Sequence, residues 1–222
     1  QQFYTICKSK VEALFDLVSE IVLRGEKVII YVRFLEEVKF FQECGWFEKG
    51  EYVVYGSKGV CEITDISTIN ISGMNREKLY YFLRPVNDRD AKIFIPVDSD
   101  KIQMRRILTQ EEAEALVDSI PRIGCLWIAD EKQREYSYRQ AVNGCDCRDW
   151  VRILKTLWKR NRERFARGKK ETAMDKKYFR IAEDNLYTEL AVSLNIDQKQ
   201  VKDYIAHRME QAEEKEAETV PV

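Results

Sequence analysis

The sequence has a single histidine, no long apolar run and no phosphate-binding loop, and each of these shortages narrows the possible functions. With His207 as the only histidine, a histidine-dependent hydrolytic triad lacks support. No apolar run approaches the roughly 18 to 20 residues that span a bilayer, and no signal-peptide pattern opens the chain. We expect a cytoplasmic protein with no membrane partner and no small-molecule substrate.

ATP hydrolysis is disfavoured by the missing Gly-x-x-x-x-Gly-Lys-Ser/Thr loop, because an ATPase needs the amides and the lysine of that loop to hold phosphates. The stretch Gly56-Ser57-Lys58-Gly59 is too short to replace it. The sequence therefore predicts a protein that is not an enzyme and has no catalytic residues and no cofactor.

The six cysteines are scattered without the spacing of a secreted disulfide framework, which favours free thiols. Cys145 and Cys147 are close in sequence, but with His207 they fall short of the four ligands of a structural zinc site. We expect no metal site.

The formal net charge of -1 hides a strong asymmetry along the chain. Between Arg148 and Arg180 there are thirteen Lys or Arg residues and four Asp or Glu residues. Residues 211–222 form an acidic tail, for which the composition predicts a frayed or disordered end.

Residues 46–108 are predicted to form strands. From residue 47 to residue 63, alternating apolar residues with Gly56 and Gly59 indicate a β-hairpin. Three further strands and a long turn at 70–76 suggest a small Tudor-like β-barrel, with Pro96 at a strand edge or end because proline cannot donate a ladder hydrogen bond. The five predicted strands are 51–55, 60–66, 78–83, 92–97 and 103–108.

Residues 109–210 are predicted to form an all-α helical domain. Thr109 with Glu112, and Thr172 with Asp175, have the spacing of capping boxes. The expected helices are 109–120, 131–142, 148–166, 174–193 and 197–211. The fold class is thus α+β and multidomain.

Residues 1–45 are predicted to form a short N-terminal α-β-α extension, with a helix at 9–24, a strand at 27–34 and a helix at 35–43. Over about 40 residues this extension is similar to the start of the second motor lobe of Swi/Snf-type helicases. We interpret it as a helicase-like fragment without motor activity.

The hairpin at 47–63, the strand Ile93–Pro96 and the run Leu157–Arg164, followed by Gly168-Lys169, resemble the CarD family of bacterial transcription regulators. The first domain of that family is shared with transcription-repair coupling factor. The resemblance implies a nucleoid-associated factor whose barrel binds the RNA polymerase β subunit and whose helices contact promoter DNA, so that the open complex is stabilised.

The polymerase contact implied by this resemblance is an exposed sheet edge that accepts a strand. Lys92 to Pro96 is the candidate edge. Alternation directs Ile93 and Ile95 toward the core and Phe94 away from it. The predicted polymerase-binding residues are Ile69, Lys92 and Phe94.

The helix at 148–166 carries the candidate DNA-binding face. Its apolar stripe is predicted to be buried, and its cations lie opposite, either as a solvated face or as phosphate contacts. The stripe consists of Trp150, Val151, Leu154, Leu157, Trp158 and Phe165. The predicted phosphate contacts are Lys155, Lys159 and Arg162.

The resemblance also implies a tryptophan wedge in the DNA minor groove, before an Arg-rich stretch and a Tyr-Lys/Arg pair. Aligning that pair on Tyr138-Arg139 puts Arg134 at the wedge position. Tyr136 or Trp127 are alternatives, although we expect Trp127, flanked by Leu126 and Ile128, to be buried. Arg134, Tyr136 and Arg139 are the predicted DNA contacts here.

Two other functions remain open at this point. The basic face can bind an acidic protein, which makes the chain a non-catalytic adaptor. Residues 9–43 instead suggest a fragment of a helicase-type translocase.

Overall fold

The computed structural model of the chain describes residues 47–69, 78–97, 104–128 and 130–218. The predicted N-terminal extension at 1–45 and the predicted turn at 70–76 lie outside these residues.

The strands form an antiparallel sheet in the order β4-β3-β2-β1-β5. Five strands were predicted and all five are present. Pro96 ends the edge strand β4, as its missing N–H requires. Closure into a Tudor-like barrel is not confirmed, because the described strands form an open order with β4 and β5 at its ends. The strands are β1 (Tyr52–Tyr55), β2 (Val60–Thr68), β3 (Leu79–Pro85), β4 (Ile93–Pro96) and β5 (Met104–Arg106).

The predicted hairpin is formed by β1 and β2, with Val53 opposite Cys61 in the antiparallel ladder. A 3-10 turn at Gly56–Lys58 joins the two strands. Gly59 has a φ of +69°, and a Cβ atom added there would lie 2.5 Å from Oδ1 of Asn185. The positive φ therefore favours glycine at position 59, and any larger residue would also have to displace the Asn185 side chain.

Five α-helices follow, close to the predicted ranges, and no helix within the described ranges is long and apolar enough to cross a bilayer. Thr109 and Glu112 form the predicted capping box. The predicted capping box at Thr172 and Asp175 is only half formed: the Thr172 hydroxyl accepts a hydrogen bond from the Asp175 N–H, but the Asp175 carboxylate pairs with Arg160 at 3.1 Å. The helices are α1 (Gln110–Ser119), α2 (Arg134–Asn143), α3 (Cys147–Ala166), α4 (Ala173–Leu194) and α5 (Val201–Glu218).

The helix α5 continues beyond residue 211, where the sequence predicted a frayed or disordered tail. Residues 211–218 consist of Gln, Ala, Glu and Lys. All four have high helix propensity. The high charge of this segment suggested disorder, but the same residues favour continuation of the helix.

The chain folds into two compact units. The described part of the first consists of residues 47–51, 63–69, 78–84 and 92–97. The second consists of residues 52–62, 85–91 and the described residues from 104 onward. Val54 of β1 and Val60 of β2 thus belong to the same core cluster as Trp150 and Leu157 of α3.

A buried ion pair joins β5 to α4 inside the second unit. The Glu189 side chain is fully buried, and the Arg105 side chain is 29% exposed. Arg105 Nη2 donates to Glu189 Oε2 at 2.9 Å, and Arg105 Nε donates to the carbonyl oxygen of Cys145. Burial opposes the charged form of Arg105, but its hydrogen bond and its attraction to Glu189 outweigh burial, so the pKa of Arg105 lies above its ordinary value.

The Glu189 carboxylate also accepts hydrogen bonds from the Leu108 N–H at 3.0 Å and from the Cys147 thiol at 3.1 Å. One buried side chain therefore holds β5, the segment before α1 and the start of α3. Satisfying a buried carboxylate with this many donors is what makes its burial tolerable.

We expect Glu189→Gln to lower the free energy of unfolding by roughly 3–5 kcal/mol, because it leaves the Arg105 guanidinium charged and unpaired. Urea denaturation measures this change. The control is Arg106→Gln, which breaks an exposed pair with Glu112 and should cost at most about 1 kcal/mol. Equal losses in the two variants would contradict the central role of the buried pair.

Candidate functional site

The candidate polymerase-binding edge lies in the first compact unit, where β4 is an edge strand. Phe94 pairs with Phe82 across the β3-β4 ladder, and the two rings meet edge to face with centroids 5.0 Å apart. Ile95 is buried as predicted, but Ile93 is half-buried like Phe94, so the predicted alternation holds only in part. Among the described strands, none pairs with the outer side of β4, and Phe94 is partly accessible on this edge strand.

Lys92 and Ile69, the other predicted polymerase contacts, differ in exposure. Lys92 is exposed immediately before β4. Ile69 is only 4% exposed, so its placement indicates packing inside the first unit rather than direct contact with a partner.

In the second unit, Trp127 is 82% exposed, and the prediction that it is buried is wrong. Its neighbours Leu126 and Ile128 pack against the core. Side chains alternate along an extended segment, so burying the residues before and after Trp127 turns the indole outward.

The segment that carries Trp127 is tied to α3 by side-chain hydrogen bonds. The Leu126 N–H donates to Thr156 Oγ1 at 2.8 Å. Lys155 Nζ donates to the carbonyl oxygens of Ile120 at 2.5 Å and Ile123 at 2.6 Å. These bonds hold an exposed tryptophan on a fixed backbone, which lowers the entropy lost when the ring inserts into a partner.

Arg134, Tyr136 and Arg139 lie on α2 but do not share one surface. Arg134 is 7% exposed, its Nη1 donates to the Tyr138 hydroxyl at 3.0 Å, and its guanidinium lies over the Tyr138 ring. This burial argues against a DNA contact by Arg134. Tyr136 is 60% exposed, and Arg139 is exposed with a loose contact of 3.7 Å to Glu135.

The cations predicted on α3 divide into a structural lysine and two exposed residues. Lys155 is occupied by main-chain carbonyls at the end of α1 and is unsuited to phosphate contact. Lys159 and Arg162 are exposed. The Arg162 guanidinium carbon lies over the Trp158 ring, 5.4 Å from its centroid.

Trp158 and Phe165 are each 60% exposed, so the prediction that the whole apolar stripe is buried is wrong for its C-terminal half. Val151, Leu157 and Trp150 are buried as predicted. Trp158 and Phe165 have nearly the same helical phase as the buried Val151, so amphipathic spacing alone does not distinguish the exposed members of the stripe from the buried ones.

The buried cysteines are not arranged as a metal centre. In the described residues, no group of three or more His, Cys, Asp or Glu side chains could hold an ion. Burial is the main cause that raises the pKa of the Cys61 thiol to about 12 and the pKa of the Cys147 thiol well above its ordinary value. Both therefore remain thiols near neutral pH and are poor nucleophiles.

Residues 47–108 match the domain family described as CarD-like/TRCF RID domain. The match confirms the family resemblance predicted for this segment. No curated protein matches the chain.

We expect Lys155→Met to lower the free energy of unfolding by roughly 1.5–3 kcal/mol, because it removes charge-assisted hydrogen bonds to the partly buried carbonyl oxygens of Ile120 and Ile123. Thermal or urea denaturation measures the change. Lys159→Met, one turn further along α3 and exposed, should leave stability within about 0.5 kcal/mol of the wild type. A similar loss in both variants would contradict the distinction between the two lysines.

Proposed function

From the CarD-like domain that this chain carries over residues 47–108, we propose that the protein is a non-enzymatic transcription regulator that binds the RNA polymerase β subunit and contacts promoter DNA. The match to an RNA polymerase-interacting domain family is the observation that carries this proposal. The open edge of β4 and the exposed Trp127 supply the two surfaces that it needs.

The polymerase contact is made at the β4 edge. A strand of the partner adds to the unpaired side of β4, and its main-chain hydrogen bonds provide affinity. Phe94, half-buried against Phe82, and the exposed Lys92 provide specificity. Ile69 supports this edge from inside the unit and does not touch the partner.

The DNA contact is made by the second unit. Trp127 is the wedge, because an apolar side chain inserted between base pairs unstacks a step at a cost of a few kcal/mol and therefore acts best from a rigid backbone. Tyr136 and Arg139 on α2, and Lys159 and Arg162 on α3, contact the DNA around it. Phosphate and groove-shape contacts carry little base identity, so sequence preference is weak.

These contacts stabilise the open promoter complex by shifting the equilibrium between closed and open complexes toward the open form. A factor moves the closed-to-open equilibrium only by the difference between its affinities for the two states. Insertion of Trp127 at the edge of the melted region costs less unstacking than insertion into an intact duplex, and this preference supplies that difference.

We expect Phe94→Asp to abolish retention of polymerase β in a pull-down with the full chain, since a carboxylate replaces the apolar ring at the docking edge. Lys92→Glu, at an exposed position that does not support the fold, should also weaken retention. Ser57→Asp, which adds the same charge in the exposed turn between β1 and β2, is the control. Wild-type retention by both edge variants would refute this docking edge.

We expect Trp127→Ala to shorten the lifetime of open complexes formed with polymerase by about tenfold, which corresponds to about 1.4 kcal/mol. Trp127→Phe should retain part of the effect, because a smaller ring still inserts. The neighbouring exposed Cys125→Ala should behave as wild type. An unchanged lifetime with Trp127→Ala, at normal polymerase retention, would rule out the wedge.

A further inference from the structure

The C-terminal half of α3 presents two large aromatic side chains to solvent on one side of the helix. Trp158, Arg162 and Phe165 are spaced at i, i+4 and i+7, so they share one face. Both rings are 60% exposed. We call Trp158, Arg162 and Phe165 the aromatic face of α3.

The exposure of this face is unusual because residues on the same side of α3, in its N-terminal half, are packed in the core. Val151 is 2% exposed, and Leu154 packs against the core. Single exposed apolar residues are ordinary, but two large aromatic rings on one helix face that continue a buried stripe indicate a binding surface.

The charge around the aromatic face is positive and largely unneutralised. Arg152 and Arg160 elsewhere on α3 are paired with Asp149 and Asp175. In contrast, the exposed cations in and after the C-terminal half form no ion pair with a carboxylate of the described chain. These cations are Lys159, Arg162, Arg167, Lys169 and Lys170.

We propose that the aromatic face of α3 binds single-stranded nucleic acid. Exposed aromatic rings bordered by cations are the features that single-strand binding surfaces use, since bases stack on the rings and phosphates lie along the positive charge. The Arg162 guanidinium already lies over the Trp158 ring, and because Trp158 is 60% exposed, a base can stack on the accessible part of the indole.

This inference rests on the DNA contact proposed above and deepens it. Bases in a duplex are stacked on each other and offer no free face, so stacking on Trp158 and Phe165 selects a melted strand. Trp158 and Phe165 lie about 10 Å apart along the helix axis, so they engage separate positions of one strand. Trp158 and Phe165 are distinct from the proposed wedge, Trp127. Binding of a single strand can also be measured without polymerase.

The test measures fluorescence anisotropy of a labelled oligo-dT strand, an abasic strand of the same length and a duplex, each titrated with the full chain. We expect oligo-dT to bind at least about fivefold tighter than the abasic strand. Trp158→Ala and Phe165→Ala should each weaken oligo-dT binding by about fivefold or more and leave abasic binding unchanged. Trp158→Phe should retain most of the affinity, and Gln140→Ala, at an exposed position on α2, is the control.

Equal affinity for oligo-dT and the abasic strand would show attraction to phosphates alone and would overturn the proposal. Tighter binding of a polyglutamate peptide than of oligo-dT would overturn it in favour of an acidic protein partner. Polymerase retention, measured in the same preparations, separates this proposal from the preceding one. If the wild-type chain prefers oligo-dT but does not retain polymerase β, only the docking proposal is refuted. If it retains polymerase β but does not prefer oligo-dT, only the proposal for the aromatic face is refuted.

Discussion

The buried pair between Arg105 and Glu189 is the interaction on which the architecture of the second unit depends. A charged pair is costly to remove from water, and its burial succeeds here because donors from three separate segments satisfy the Glu189 carboxylate. The pair fixes the start of α3. The direction of α3 in turn fixes Lys155 and Thr156, whose hydrogen bonds hold the segment that carries Trp127. A core electrostatic contact therefore positions a surface aromatic ring.

Much of the fold could be predicted from the sequence because its signals are local. Alternation and turn glycines located the five strands, and the Thr109–Glu112 spacing located the N-cap of α1. Proline chemistry placed Pro96 at an edge. These features are determined by residues within a few positions of each other, so they can be predicted from short stretches of sequence. Sheet closure depends on long-range pairing, and that prediction was not confirmed.

The site was predicted less well, because exposure depends on what covers a residue. Trp158 and Phe165 have nearly the same helical phase as the buried Val151, so their exposure depends on tertiary packing and not on the helical pattern. Arg134 and Lys155 were chosen as cations, but each is bound to groups of its own unit, Tyr138 in one case and main-chain carbonyls in the other. For Trp127 a signal did exist. Apolar residues on both sides of it, in an extended segment, indicate that the middle side chain points outward.

The β1-β2 hairpin also contributes to the core that contains the helix α3. Val54 and Val60 lie within the residues that match the CarD-like domain, yet they are buried in the core cluster that contains α3. The segment recognised by sequence and the segment that packs as one body are thus different. If the chain were cut after residue 108, the hairpin would lose apolar partners and the helices would lose part of their own interior. A fragment that ended at residue 108 would therefore need another apolar surface to bury Val54 and Val60, which in this chain is supplied by the helices.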